Sequence, residues 1–298
     1  MISVIVTTYK RSDYLLRCLE SLTRQTAPAT AYEVIVVDNN SADDTASMTK
    51  KFIDDHKDIT IRYFLETKQG LSFARNRGIS ESRGDIVAFI DDDAVAHPDY
   101  CRSLAEAAKD YPDFQAFGGR IIPVFHNDTE PDWMSHYVWG MVAKVDLGND
   151  IIPFTKKFPA GCNMAFRKDI LDELGRFNEE VKFRSDDRDI FTRLKSRGYQ
   201  VLYVPDIAVN HTIPAERVSR KGIRKLSVLS GAGEKNRLAG NYPGIILKFF
   251  DYLIKLFAAV ILSFRFLIQN KPQKTLIIKI MAWSLQGFVG NEEHLLKK

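Results

Sequence analysis

Cysteine, internal repeats and long uncharged apolar runs are scarce or absent in this sequence. Its 298 residues include 3 cysteines, which are widely spaced and form no CxxC pair, so we expect a chain that stays reduced in the cytoplasm. The opening residues Met1–Tyr9 read as a strand and lack a basic leader, so we expect no signal peptide. The longest uncharged run of the apolar C-terminal stretch, Leu256–Phe264, has 9 residues, well below the ~20 that span a bilayer.

The charged residues that are present divide the chain in two. The net charge is +4, but residues 212–298 carry 15 Lys and Arg against 5 Asp and Glu, whereas residues 1–211 carry 27 against 33. We expect an acidic body and a basic C-terminal region to contact different partners. The sequence therefore predicts one domain over residues 1–214 and a basic, amphipathic helical region over residues 215–298.

Strand-like and helix-like patterns alternate over the first hundred residues. The apolar runs Ser3–Thr8, Glu33–Val37 and Ile86–Ile90 are typical of strands buried on both faces of a sheet, and Ile59–Leu65 is a weaker strand. This alternation predicts an α/β fold with a mostly parallel sheet, helices on both faces and right-handed crossovers.

Caps and breakers predict where the helices and loops begin. Ser12 and Ser41 are expected to cap the helices that follow them. Asp186–Arg197 is a clear helix, and Gln200–Val204 is a further strand. The stretch from Arg120 to Pro159 is loop-rich, and we interpret it either as a lid over a site or as an ordinary packed excursion.

Polar side chains follow three of the predicted strands. Thr8 and Tyr9 follow the first, Asp38 ends the second, and Asp91–Asp93 end the strand at Ile90. Because the carboxyl ends of parallel strands meet at one edge of a sheet, these side chains should line one crevice. Adjacent carboxylates repel unless a cation neutralises them, and hard divalent ions prefer oxygen ligands. The alternative to a cation site is that Asp91–Asp93 form a solvated acidic turn.

A second group of acids opens the helix that begins at Asp186. Asp186, Asp187 and Asp189 all fall in its first turn, where the helix dipole favours negative charge. A carboxylate at the mouth of an acidic crevice can also serve as a general base. The spacing alone leaves both interpretations open.

Several segments of the chain resemble one family when they are taken together. The chain contains, in this order, Ser-Val-Ile-Val-Thr-Thr-Tyr, Val-Val-Asp-Asn-Asn-Ser-Ala-Asp, Gly-Leu-Ser-Phe-Ala-Arg-Asn-Arg-Gly, Phe-Ile-Asp-Asp-Asp-Ala and Asp-Asp-Arg-Asp-Ile-Phe-Thr-Arg-Leu. Over about residues 1–215 it resembles the inverting, metal-dependent family-2 glycosyltransferases of the GT-A fold. The resemblance implies a Rossmann-like sheet with a nucleotide-binding half at 1–100 and an acceptor half at 101–214.

The resemblance assigns roles by position. The residues that match the nucleotide-sugar pocket are Thr8, Tyr9, Arg11, Asp38, Arg75, Asp91 and Asp92. The residues that match the ligands of Mn²⁺ or Mg²⁺ are Asp93, Asp91 and His211, although a histidine after a strand is also a common surface group. The family's Glu-Asp pair falls on Asp186 and Asp187, and Asp187 is the predicted catalytic base. Because Asp186 replaces a longer Glu, the resemblance leaves open which of the two reaches the acceptor.

The resemblance implies transfer of a sugar from a nucleotide-sugar donor to a hydroxyl of a glycan or lipid-linked acceptor, in cell-surface polysaccharide synthesis and with no nucleic-acid partner. One alternative is a nucleotidyltransferase that makes sugar nucleotides. Such enzymes usually carry a glycine-rich loop after the first strand, and Thr7–Arg11 contains no glycine. Another alternative is a non-catalytic protein that binds glycans or nucleotides, which the intact aspartate run argues against.

The C-terminal region contains two apolar stretches, Ile245–Ile268 and Leu276–Val289. Lys248, Asp251 and Lys255 share one stripe of the first stretch, and its other faces are apolar. Residues 245–290 are therefore expected either to lie in a membrane interface, at the cytoplasmic face, or to form a helical hairpin. Such a hairpin would pack on the catalytic domain or on a second copy of the chain.

Overall fold

The computed structural model describes residues 1–181 and 185–290 and divides the chain into two compact units. We call the first the sheet unit, and it comprises Met1–Pro123, Lys144–Glu179 and Asp186–Thr212. The second, the helical unit, comprises Val124–Ala143, Glu180–Ser185 and Ile213–Lys298. Residues 182–184 of the predicted domain over 1–214, and residues 291–298 of the predicted C-terminal region, lie outside the described residues.

Strands and helices alternate from Ile2 to Asp91 and follow one another less regularly after that. The strands are β1 (Ile2–Thr8), β2 (Tyr32–Asp38), β3 (Ile61–Leu65), β4 (Ile86–Asp91), β5 (Ala94–Ala96), β6 (Ala116–Phe125), β7 (Ile152–Pro153), β8 (Met164–Arg167) and β9 (Val201–Ile213). The helices are α1 (Ser12–Thr23), α2 (Thr45–Asp55), α3 (Leu71–Glu81), α4 (Tyr100–Asp110), α5 (Lys168–Glu173) and α6 (Asp186–Ser196). The predicted α/β class is therefore confirmed.

The nine strands of the described residues belong to one sheet, whose order is β3-β2-β1-β4-β8-β6-β9-β5, with β7 paired to β9. The first four strands of this order are parallel, and β8 then pairs antiparallel with β4 and with β6. β1 and β2 are buried along their whole length, because both lie inside the sheet and their apolar side chains are covered on both faces. The parallel part of the sheet is the one that the alternating sequence pattern predicted.

Two of the predicted helix caps are wrong. Ser12 is the first residue of α1, and Ser41 lies before α2, which begins at Thr45. The Ser41 hydroxyl instead accepts a hydrogen bond from the backbone N–H of Lys10 at 2.9 Å. Asp43 accepts the hydrogen bond of the Thr45 N–H at 3.2 Å. Ser41 is thus used to join two loops, which no local pattern reveals.

Two further boundaries differ from the prediction. β9 does not end at Val204 but runs to Ile213, and its later residues Val209–His211 pair antiparallel with β5. The stretch from Arg120 to Pro159 is also less irregular than expected, since β6 occupies its first residues as far as Phe125. Pairing partners distant in sequence supply hydrogen bonds that a local pattern cannot show.

The helical unit consists mainly of α7 (Ala215–Val218), α8 (Arg220–Arg237), α9 (Tyr242–Ile268) and α10 (Leu276–Val289), with a 3₁₀ turn at Pro272–Thr275. α10 packs against both α8 and α9. The backbone of α10 approaches α8 closely at Gly287, where an added Cβ would lie 1.9 Å from the carbonyl oxygen of Val228. Within the described residues, no helix is both long enough and apolar enough to cross a membrane.

Candidate active site

The register of the parallel strands brings the predicted polar side chains to one edge. β1 lies between β2 and β4, with Thr8 beside Asp38 and Thr7 beside Asp91. The carboxyl ends of these strands therefore meet, as the sequence predicted. We call this edge, with the aspartate run at the end of β4, the strand-end site.

Asp92 and Asp93 turn back toward the first loop of the chain. The Thr8 hydroxyl donates a hydrogen bond to Oδ2 of Asp92 at 2.8 Å. Nη1 of Arg11 lies 3.3 Å from Oδ1 of Asp92 and 3.0 Å from Oδ2 of Asp93. Burial raises the pKa of Asp92 to about 7, and Arg11 partly opposes that rise. Thr8 and Arg11 therefore hold these two carboxylates in place.

His211 is the histidine that the structure brings to the aspartate run. β5 pairs antiparallel with β9 so that Ala94 lies beside His211, and the backbone N–H of Thr212 donates to the carbonyl of Asp93. Nε2 of His211 lies 3.4 Å from Oδ1 of Asp93, and both side chains are buried. The sequence separates these two residues widely, and only the long β9 strand places them side by side.

Asp38 is almost sealed from solvent, with 1% of its surface exposed. One carboxylate oxygen accepts a hydrogen bond from the Ser41 N–H at 2.9 Å, and the other accepts one from the Tyr63 hydroxyl at 2.9 Å. Asp38 thus fixes the loop after β2 against β3. A direct contact between Asp38 and a nucleotide stays a prediction.

Arg75 of α3 joins the aspartate run to the first turn of α6. Its guanidinium is 2% exposed and forms ion pairs with Asp91 and Asp186, and 3.1 Å separates Nη2 from Oδ1 of Asp91. Nη2 also donates to the carbonyl oxygen of Gly161 at 3.2 Å. Burial alone would lower the pKa of Arg75, but Asp186 and Asp91 outweigh it and the pKa is raised. Arg75 therefore stays charged between two acids that different elements contribute.

Backbone N–H groups hold both carboxylate oxygens of Asp187. Its Oδ2 accepts a hydrogen bond from the Gly161 N–H at 3.2 Å, and its Oδ1 accepts one from the Arg188 N–H at 2.7 Å. Desolvation, and next the charge of Asp186, raise the pKa of Asp187 to about 6. The side chain is half-buried and so keeps some access to solvent. A carboxylate in this state is ionised at neutral pH and can still accept a proton.

The model of the family described as "Glycosyl transferase family 2" matches residues 3–175, which is more than half of the chain. This chain belongs to glycosyltransferase family 2. The matched residues include the strand ends at Thr8, Asp38 and Asp91–Asp93, together with Arg75 and Gly161. The nucleotidyltransferase and non-catalytic alternatives are therefore set aside.

Curated relatives of this glycosyltransferase are named for glycosyl transfer or for polysaccharide biosynthesis. It is 27% identical, over 71% of its length and 69% of the relative's, to a glucosyl-dolichyl phosphate glucuronosyltransferase of Haloferax volcanii. It is 26% identical, over 82% of its length and 77% of the relative's, to the succinoglycan biosynthesis protein ExoM of Rhizobium meliloti. The region shared with the archaeal relative thus spans about two thirds of that protein.

A solved structure supports the fold of this glycosyltransferase. The mannosyltransferase PcManGT from Pyrobaculum calidifontis, solved in complex with GDP-Man and Mn²⁺, superposes with a TM-score of 0.67. The match covers 97% of this chain and 86% of that one at 20% identity. The GT-A fold, with helices beyond the sheet, is therefore shared.

The residues of the strand-end site suit a metal ion that is bound jointly by the protein and by a diphosphate. Among the described residues, no three or more His, Cys, Asp or Glu side chains are grouped so that they could hold a metal alone. Asp93 and His211 form an adjacent oxygen and nitrogen pair, with 3.4 Å between Oδ1 and Nε2. A hard divalent ion takes about six ligands and readily shares them with phosphate oxygens and water. Asp93 and His211 could thus supply two of these ligands and a diphosphate the others.

The structure gives the remaining predicted residues different surroundings. Asp91, predicted as a metal ligand, contacts Arg75 and keeps 34% of its side chain exposed. Tyr9 is 44% exposed beside Lys10, whose Nζ lies 5.1 Å from the centroid of the Tyr9 ring. A role for Asp91 at the metal and a role for Tyr9 at the nucleotide both stay predictions.

Sequence reasoning missed Gly161, which touches both Arg75 and Asp187 through its backbone. A Cβ added at Gly161 would lie 2.6 Å from Nη2 of Arg75. The available signal was the run Phe158-Pro-Ala-Gly, because a glycine after a proline often marks a loop whose backbone approaches another group. The run does not say what that group is.

Replacing Arg75 tests whether its guanidinium holds the two groups of acids together. We expect Arg75→Met to lower the free energy of unfolding by about 3–5 kcal/mol, because it leaves Asp186 buried without its cation. The control Arg77→Met removes a half-exposed arginine of the same helix that pairs with Glu81, and should cost under ~1 kcal/mol. Urea unfolding measures the free energy of unfolding of both variants. Equal losses in the two variants would contradict the role of Arg75 in bridging the two groups of acids.

Proposed function

We propose that this glycosyltransferase moves a sugar from a nucleotide-sugar donor to a hydroxyl of a glycan or lipid-linked acceptor, with inversion and with Mn²⁺ or Mg²⁺ as cofactor. The observation that carries the proposal is the pair of ion pairs that joins Asp91, through Arg75, to Asp186 in the first turn of α6. These contacts connect the strand-end site, where the charged leaving group would bind, to the first turn of α6, where the base would lie. The dolichyl phosphate named for one relative favours a lipid-linked acceptor, and the succinoglycan named for another favours polysaccharide synthesis.

The two acids of α6 differ in what they can do. Asp186 is buried and ion-paired with Arg75, so its negative charge is already neutralised. Asp187 has backbone N–H donors at both oxygens and a pKa of about 6, so it is ionised at pH 7 and able to take a proton. We therefore assign the base to Asp187, which removes the proton of the acceptor hydroxyl as that oxygen attacks. Asp186 positions Arg75.

The donor is held at the strand-end site in this proposal. Arg11 and Arg75 supply positive charge next to the aspartate run, and a divalent ion, when bound at Asp93 and His211, would stabilise the charge that develops on the leaving diphosphate. Attack from the opposite face of the sugar gives inversion in a single displacement. No protein nucleophile is then required.

A change at Asp187 should remove the base without unfolding the protein. We expect Asp187→Asn to lower kcat by about 10²–10⁴-fold, because an amide cannot accept the proton. In the wild type, kcat should fall as the pH drops below about 6, since the base must be ionised to act.

The control for Asp187→Asn is Asp189→Asn, which lies in the same turn and pairs with Arg193. This variant should keep kcat within a few-fold of the wild-type value and should retain the wild-type dependence of kcat on pH. Steady-state rates between pH 5 and 8 measure both properties. A substantially active Asp187→Asn variant would remove Asp187 from the mechanism.

Donor binding can be tested without knowing the acceptor. In a thermal-shift screen of UDP, GDP, dTDP and CMP sugars, at least one should raise the melting temperature, because a ligand that binds only the native state stabilises it. At a hundredfold excess over Kd the gain is about 2.7 kcal/mol, or several degrees. Mn²⁺ alone should do little, since the protein supplies few of its ligands.

In the Asp93→Asn variant, the nucleotide sugar should no longer give the part of the rise in melting temperature that depends on Mn²⁺. The control Asp85→Asn makes the same change of charge at a side chain that is 90% exposed, and it should keep that part. If none of the four nucleotide sugars stabilised the wild type, the donor proposal would fail.

We further propose that the helical unit attaches the enzyme to the cytoplasmic face of a membrane. The exposed side of α9 carries apolar side chains at alternating spacings of three and four residues: Leu247, Phe250, Ile254, Phe257, Ile261, Phe264 and Ile268. Their exposure runs from 55% to 87%. Residues 213–290 also carry 13 Lys and Arg against 3 Asp and Glu. A wide apolar face on a strongly basic unit suits an interface with anionic lipid.

Vesicle binding tests this attachment. Wild-type protein should co-sediment with phosphatidylcholine vesicles that contain phosphatidylglycerol, and Phe257→Glu should weaken binding about tenfold by placing a charge in the apolar face. The control Ile151→Glu changes an apolar residue of the sheet unit that is 43% exposed. If the wild-type protein does not bind vesicles and sediments as a dimer, the membrane proposal is wrong, and the exposed apolar face of α9 is assigned to contact with a second copy of the chain.

A further inference from the structure

The helical unit contains a cavity of its own, with a volume of about 400 Å³. Arg220 begins α8 on one side, and Thr275 and Lys279 lie at the start of α10 on another. Trp133, Val218 and Leu276 supply apolar walls. None of these residues belongs to the strand-end site, and the transfer mechanism uses none of them.

The charged groups of the cavity are two cations. Among the described residues, no salt bridge joins Arg220 or Lys279 to a carboxylate, even though Asp132 is next to Trp133 in the chain. The acids Glu234 and Asp251 of the same unit are already paired, the first with Arg237 and both with Lys248. Two cations that line one small cavity favour an anion between them, and phosphate oxygens suit both guanidinium and ammonium groups.

The apolar part of the cavity lining belongs to the packed interior of the helical unit. Trp133, Val218 and Leu276 are partly buried and pack against the core of the helical unit. The 3₁₀ turn Pro272–Thr275 packs against α9, whose last residue, Ile268, is 87% exposed. The cavity is thus joined along the chain to the apolar face that we assign to the membrane.

We propose that this cavity binds a phosphate group attached to an apolar chain. Arg220 and Lys279 bind the phosphate oxygens, while Trp133, Val218 and Leu276 contact the first carbons of the chain. The proposal deepens the proposed function and rests on its assignment of a lipid-linked acceptor at a membrane. A bilayer phospholipid and a lipid-linked acceptor share this chemistry, and the experiment separates them.

The test uses dodecyl phosphate below its micelle concentration, with tryptophan fluorescence of the full-length protein as the signal. Saturable binding is expected for the wild type, and Arg220→Gln/Lys279→Gln should bind at least tenfold more weakly. The matched control Arg224→Gln/Lys225→Gln removes the same charge from exposed positions of α8 that do not line the cavity, and should stay within twofold. Circular dichroism checks the fold, and the single change Lys279→Gln provides a milder variant.

Three outcomes would overturn the proposal: equal losses in the two double variants, no loss in either, or binding of inorganic phosphate as tight as that of dodecyl phosphate. Displacement of dodecyl phosphate by phosphatidylcholine vesicles that contain phosphatidic acid would support a bilayer lipid as the source. Saturable binding without such displacement would support a lipid-linked acceptor. The assay needs neither donor nor transfer, so its failure is distinguishable from failure of the proposed function.

Discussion

The buried guanidinium of Arg75 is the constraint on which the arrangement of the acids depends. A charge removed from water is tolerated only with opposite charges and hydrogen-bond acceptors around it. Here those partners come from separate segments, namely Asp91 at the end of β4, Asp186 at the start of α6 and the carbonyl of Gly161. Satisfying one arginine therefore brings a strand end, a helix start and a loop to the same place.

The same contacts give two neighbouring carboxylates different properties. Asp186 is neutralised by Arg75, whereas the oxygens of Asp187 accept hydrogen bonds from backbone N–H groups and burial raises the pKa of Asp187. In the proposed mechanism, proton transfer is served by a carboxylate whose pKa is close to the working pH, and Asp187, with a pKa of about 6, meets that requirement. The loop at Gly161 takes part in both environments, because its carbonyl binds Arg75 and its N–H binds Asp187.

The helical unit presents a different kind of surface. Its helices bury one apolar core, yet α9 leaves a second apolar face exposed, and its cations outnumber its acids. An exposed face of this size is unfavourable in water and indicates a partner. A phosphate-bearing lipid would satisfy both the apolar residues and the cations, which a purely apolar partner would not.

The sequence by itself determined the α/β class, the parallel strands, the convergence of Thr8, Asp38 and the aspartate run, and the family, because these follow from local apolar patterns and ordered motifs. Tertiary structure alone decided the bonding of particular side chains. Ser41 joins two loops instead of capping α2, and β9 continues to bring His211 to Asp93. Gly161 also reaches the acids of α6 only in the folded chain. Such contacts join residues far apart in the chain, so no local pattern encodes them.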